Sequence, residues 1–195
     1  MRIVGGRHRG RALAAPAGSA IRPTSDRARE SLFNILEHGA PAKAGLVLRG
    51  STVLDAFCGT GALALEALSR GAERAFLLDR DPAAIACARG NALKLGEIAR
   101  VTLRQSDATR PGPAPAAATL AFLDPPYGSA LAGPALAALA REGWLADGAV
   151  VVVETAIRED LAPPPGFVLL DERRYGKAKL GFFIWRAPAG STSRA

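Results

Sequence analysis

Thr52-Val53-Leu54 is a short run suited to a strand. It leads through Asp55-Ala56-Phe57-Cys58 into a tight Gly59-Thr60-Gly61 loop, and residues 62–70 then have helical spacing. This order of strand, tight loop and helix restricts the chain more than any other feature, because the alternation of strand and helix recurs downstream. Residues 75–78 read as a strand ending in Asp79, 82–95 as a helix, 100–104 and 120–123 as strands, 131–140 as a helix and 149–153 as a strand. Strands alternating with helices demand an α/β fold with a mostly parallel sheet. The end of the chain breaks the alternation. Residues 167–174 and 180–185 are strand-like runs on either side of Tyr175-Gly176-Lys177, a hairpin signal that adds an antiparallel edge and brings the sheet to seven strands.

Before the first strand, Thr24 or Ser25 is suited to cap a helix running to about residue 37, with Asp26 in its first turn, where the dipole favours an acid. The expected organisation is a basic N-terminal arm over 1–23, one catalytic domain over 24–187 including its leading helix, and a frayed tail over 188–195. The charge is unevenly placed. The formal net charge is +7, and residues 1–29 carry seven arginines (Arg2, Arg7, Arg9, Arg11, Arg22, Arg27, Arg29) against the single acid Asp26. A basic arm on a nearly neutral body points to a polyanionic partner, and Arg2, Arg7, Arg9, Arg11, Arg22 and Arg27 are the candidate nucleic-acid contacts.

Other function classes lose support. Cys58, Cys87, His8 and His38 are the whole complement of their types, too few for a zinc site or a disulfide framework and ill placed for a Ser-His-Asp triad, so no metal is expected. No apolar run approaches the roughly 20 residues of a membrane span. A cytoplasmic monomer without membrane contact is the expectation.

Two places carry chemistry. The first is the glycine loop: Gly59, Gly61 and Ala64 satisfy a G-x-G-x-x-A pattern that serves either a dinucleotide or S-adenosyl-L-methionine. Asp55 separates the two. An acid at that strand tip repels a pyrophosphate but attracts the ammonium and sulfonium of S-adenosylmethionine. Phe57, Gly59 and Gly61 then form the cofactor loop. Asp79, with Arg80 beside it, is placed to accept the ribose hydroxyls, and Asp81 before Pro82 is a helix cap. Asp107 is the candidate acceptor for the adenine amine, with Ser106 and Ala108 flanking the ring, or else a plain turn residue.

The second place is Asp124-Pro125-Pro126-Tyr127, directly after the apolar run 119–123. The prolines lack N–H groups and have fixed φ, so the segment leaves the ladder and stays stiff with free carbonyls. An acid, a free carbonyl and an aromatic face suit a planar amine with two N–H donors and a π surface, which describes an exocyclic amino group on a nucleobase.

These residues together resemble the RsmD family of bacterial 16S rRNA methyltransferases. The resemblance rests on Arg2-Ile3-Val4-Gly5-Gly6, on Arg9-Gly10-Arg11, on residues 22–34 (Arg22-Pro23-Thr24-Ser25-Asp26-Arg27 and onward), on Asp55 to Ala62, on Leu65 to Gly71, and on Asp124 to Tyr127. It covers nearly the whole chain. It implies a class I, Rossmann-like methyltransferase fold, S-adenosylmethionine as methyl donor, and transfer to the N2 amine of one guanine in 16S rRNA, naked or within a 30S subunit. It also implies that Thr24 and an arginine of the same segment meet the methionine carboxylate. Asp124 and the Pro125 carbonyl then accept the amine's two N–H bonds, while Tyr127 stacks on the base. Rival readings are methylation of another RNA guanine or of DNA adenine, a nicotinamide dehydrogenase on the same glycine loop, and a ribosome-assembly factor whose pocket is a relic.

Overall fold

The computed structural model describes residues 1–15 and 26–188. Its parallel strands are β1 (Thr52–Asp55), β2 (Arg74–Asp79), β3 (Val101–Gln105), β4 (Ala118–Leu123) and β5 (Leu145–Ala156). The hairpin β6 (Phe167–Tyr175) and β7 (Ala178–Trp185) completes a seven-stranded sheet in the order β3-β2-β1-β4-β5-β7-β6. β5 pairs in parallel with β4 and antiparallel with β7, so the C-terminal hairpin lies on one edge as expected. The helices are α1 (Asp26–His38), the short α2 (Ala40–Lys43), α3 (Ala62–Ser69), α4 (Pro82–Leu95) and α5 (Ala132–Arg141).

Strand period sorts the apolar residues into two cores. Val53, Leu77, Leu120, Phe122, Val150 and Val152 face α1, α3 and α4, whereas Leu54, Leu78, Ala121, Leu123, Val151 and Val153 face α5 and Trp144. Burial on both faces explains why these strands read as nearly continuous apolar runs. β5 is longer than residues 149–153 because its N-terminal part, from Leu145, also pairs with β4 across a bulge. Asp81 caps α4 by accepting from the Ala83 N–H at 2.8 Å, with Pro82 in the first turn. Among the described residues no helix is long and apolar enough to cross a membrane.

The described part of the basic arm is built into the body. Ile3 and Leu13 are buried in the first core, and Arg2 and Ala12 form an antiparallel bridge. Glu66 of α3 is fully buried and accepts from the Val4 and Gly5 N–H groups at 2.8 and 2.7 Å. Gly6 sits at φ +70, with the Ser69 carbonyl 2.0 Å from where a Cβ would stand. No other residue fits that approach.

Candidate active site

The candidate side chains gather where the parallel strands end. Asp79 closes β2, Asp55 closes β1, and Asp124 follows β4. Glu154 lies on β5 one residue beyond the last β4–β5 register pair, Leu123↔Val153. Since the sheet order is β2-β1-β4-β5, four acids stand side by side along one sheet edge. They line a cavity of about 570 Å³, together with Phe57, Cys58, Gly59, Arg80, Pro125, Pro126 and Tyr127. The crevice beyond the carboxyl ends of the strands is the usual ligand position in an open α/β sheet.

The glycine loop is tied to these acids. Asp79 accepts from the Gly59 N–H at 2.9 Å through one oxygen and from the Asp81 N–H at 2.9 Å through the other. Each carboxylate oxygen has a second lone pair, so both still have capacity for a ligand hydroxyl. Gly61 stands at φ +75 before α3, and a Cβ there would lie 2.9 Å from Leu77 Cδ2 and 3.2 Å from Ala88 Cβ. That glycine lets α3 and α4 pack close to the sheet.

Asp55 is 2% exposed and accepts a 3.3 Å hydrogen bond from the Ala64 N–H. Burial pushes its pKa up to about 7, opposed by that bond and reinforced by the charge of Asp79. Burial likewise raises Asp124 to about 8, with Glu154 and then Asp55 adding like-charge repulsion. A pocket corner that resists ionising its own acids favours an occupant that brings positive charge or N–H donors. Burial also pushes the Cys58 thiol far up, with Asp55 and Asp79 adding to the shift, so Cys58 supplies no thiolate here.

The other expected positions are distributed differently. Ser106, Asp107 and Ala108 do not line the cavity. Asp107 closes a turn by accepting from the Thr109 N–H and hydroxyl, both at 2.8 Å, which lowers its pKa, and Ala108 is packed into the second core. Thr24 and Arg22 lie outside the described residues. Of the candidate nucleic-acid contacts, Arg2 pairs with Asp26 at 3.0 Å, Arg7 pairs with the buried Glu97 at 2.5 Å, and Arg11 donates to the Lys94 carbonyl at 2.9 Å. Arg9 and Arg27 are exposed and make no ion pair among the described residues.

Glu154, Arg29 and Met1 line the cavity without having been singled out as site residues. Glu154 was visible in principle: Val150-Val151-Val152-Val153-Glu154 repeats the pattern of an apolar run closed by an acid, as in Asp55, Asp79 and Asp124. The Tyr127 hydroxyl donates to its Oε1 at 2.6 Å. Arg29 is a buried cation of α1 that donates to Asp26 at 2.9 Å and to the Arg2 carbonyl.

Comparison with known proteins agrees with this geometry. The family profile described as "Conserved hypothetical protein 95" matches residues 1–184. The chain is 38% identical over 173 residues to the ribosomal RNA small subunit methyltransferase D of Escherichia coli strain K12, covering 85% of this chain and 79% of that one. It is 33% identical over 180 residues to the Haemophilus influenzae protein of the same name, covering 90% and 89%. Among solved structures, the Escherichia coli protein YhhF, assigned as a methyltransferase, superimposes with a TM-score of 0.81 at 35% identity over 96% of this chain and 99% of its own. The fold is therefore that of the class I, Rossmann-like methyltransferases. From the profile match and these identities, the chain belongs to the ribosomal RNA small subunit methyltransferase D family.

Proposed function

We propose that this protein is an rRNA methyltransferase that takes its methyl group from S-adenosylmethionine and places it on the exocyclic N2 amine of a guanine in 16S rRNA. The observation that carries the reading is Asp124, held on a stiff Pro-Pro strand end inside the same cavity as Asp55, Asp79 and the glycine loop. The residues fit the methyl donor. Asp55, a buried acid whose ionisation is opposed by its surroundings, is stabilised by a cation; Asp79 has lone pairs left for ribose hydroxyls; and Phe57, Gly59 and Arg80 border the same space, while Gly61 supports the loop from behind, against Leu77 and Ala88. Thr24 is proposed at the methionine end and Ser106 to Ala108 at the adenine end.

When bound, S-adenosylmethionine supplies a methyl group already activated by its positive sulfur. The chain's own task is to prepare the amine. A guanine amine is a weak nucleophile because its lone pair is delocalised into the ring. The Asp124 carboxylate and the Pro125 carbonyl accept its two N–H bonds, which favours a pyramidal nitrogen with its lone pair directed outward. Tyr127, 42% exposed, offers a ring for stacking. Positioning supplies most of the rate.

The test is incubation with labelled S-adenosylmethionine and unmodified small subunits, naked 16S rRNA or DNA, followed by digestion and identification of the labelled nucleoside. N2-methylguanosine from 16S rRNA is expected. Label in adenine, or in DNA, overturns the reading.

A further inference from the structure

We propose that Glu154 is the residue that selects guanine: its carboxylate accepts the ring N1–H adjacent to the amine that Asp124 and Pro125 hold. The inference rests on the guanine N2 reading above and extends it to a residue outside the Asp-Pro-Pro-Tyr segment. Asp124 and Glu154 are one residue beyond the parallel pair Leu123↔Val153, on adjacent strands, and both line the cavity. Their charges interact, since Glu154 is one cause of the raised pKa of Asp124. Glu154 Oε1 takes the Tyr127 hydroxyl at 2.6 Å, and Oε2 has no partner among the described residues. The base-facing corner is thus made of acceptors: the Asp124 carboxylate, the Pro125 carbonyl and Oε2 of Glu154.

That chemistry matches one base. Guanine places a ring N–H beside its exocyclic amine, so its edge shows three adjacent donors. Adenine and cytosine each place a bare ring nitrogen beside the amine. Opposite a carboxylate, that lone pair is repelled and both acceptors stay unpaired in a partly buried site. The Tyr127 bond gives Glu154 a second task, since a ring anchored by its hydroxyl stands in a defined position for stacking. Asp124 by itself accepts from any exocyclic amine. Glu154 makes the corner specific.

The decisive substrate is 2,6-diaminopurine at the nucleotide that accepts the label, in small subunits assembled on 16S rRNA. It keeps the N2 amine but presents a lone pair at N1. With the wild-type protein, kcat/KM is expected to fall about 100-fold or more from guanine to diaminopurine. Glu154→Gln presents an amide N–H to that lone pair while its carbonyl still accepts from Tyr127. It is expected to lose activity on guanine, gain it on diaminopurine, and bring the two within about 10-fold. Tyr127→Phe is expected to lower both rates by a common factor and leave their ratio unchanged. Equal wild-type rates on the two bases, or a Glu154→Gln protein that keeps the wild-type ratio, overturn the role of Glu154 while leaving N2 methylation standing. A wild-type protein that labels no guanine N2 overturns the enzymatic reading itself. If Glu154→Gln does not fold, as judged by thermal melting, the wild-type ratios for diaminopurine and for 2-aminopurine, which has the bare N1 but no group at C6, decide together: a loss of about 100-fold or more on both is expected, and guanine-like rates on either overturn the role of Glu154.

Discussion

On its proposed role, Asp124 links charge state to both activity and stability. Its carboxylate is the form that accepts N–H bonds from an amine, and in the ligand-free protein it is raised from 3.8 to about 8. kcat/KM should therefore increase with pH and level off above about 8, and a pH–rate profile checks this. Stability moves the other way. Between about 4 and about 8 the folded protein holds a proton that the unfolded chain has released, so stability falls as pH rises through that window, and Asp55 adds to the same trend. Melting curves of the ligand-free protein from pH 5 to pH 9 should show a decline. Asp124→Ala should lower turnover by about 100-fold or more, the effect of losing a positioned polar group, with little change in S-adenosylmethionine affinity by calorimetry. Asp124 was legible in the sequence because the flanking prolines mark it. Glu154 closes the apolar run 150–153 in the same way, but no proline or glycine marks it, and its place beside Asp124 is fixed only when β4 and β5 pair.

Among the elements, α3 carries two separate burdens. At its N-terminus Gly61 permits close packing, and at its middle Glu66 anchors the N-terminal residues through the Val4 and Gly5 N–H groups and pairs with Arg70 at 2.9 Å. Glu66→Ala removes the acceptor shared by Arg70 and two backbone donors, and also the carboxylate that stands 3.7 Å from the Arg29 guanidinium. Denaturant unfolding should show a loss of about 3–5 kcal/mol, the cost of breaking a buried ion pair by removing one partner. Amide exchange at Val4 and Gly5 should accelerate in the same variant. Gly61→Ala should cost about 1–3 kcal/mol, because the new methyl group meets Leu77 and Ala88 at a backbone angle that L residues avoid. The helices and strands of the sheet domain were readable because their periodicity is set by burial against a sheet covered on both faces. The four-residue α2 was not expected; its segment, Ala40 to Lys43, is too short to show any period.

Over the whole molecule, the basic N-terminal charge is divided between structure and surface. Arg7 is committed to Glu97 and Arg2 to Asp26, whereas Arg9 and Arg27 stand exposed. Replacing Arg9 and Arg27 with glutamine should reduce the slope of log affinity for RNA against log salt by up to about 0.7–0.9 for each phosphate that is no longer neutralised. Replacing Arg7 should instead lower thermal stability modestly, since the buried Glu97 then keeps only His8 and Arg100 as partners, and change the slope less. Filter binding over a salt series, with melting curves alongside, separates the two.

Composition, strand and helix periodicity, the glycine loop and the Asp-Pro-Pro-Tyr segment were local properties, and local steric and burial rules were enough to read from them the sheet class, most element positions and three of the four acids. Which side chains face one another was decided elsewhere. Register between β4 and β5 places Glu154 beside Asp124, and the packing of residues 1–15 onto α3 and α4 turns part of a basic arm into core and ion pairs. Both depend on contacts between residues far apart in the chain, where no sequence period reaches and only the closed tertiary packing determines the partner.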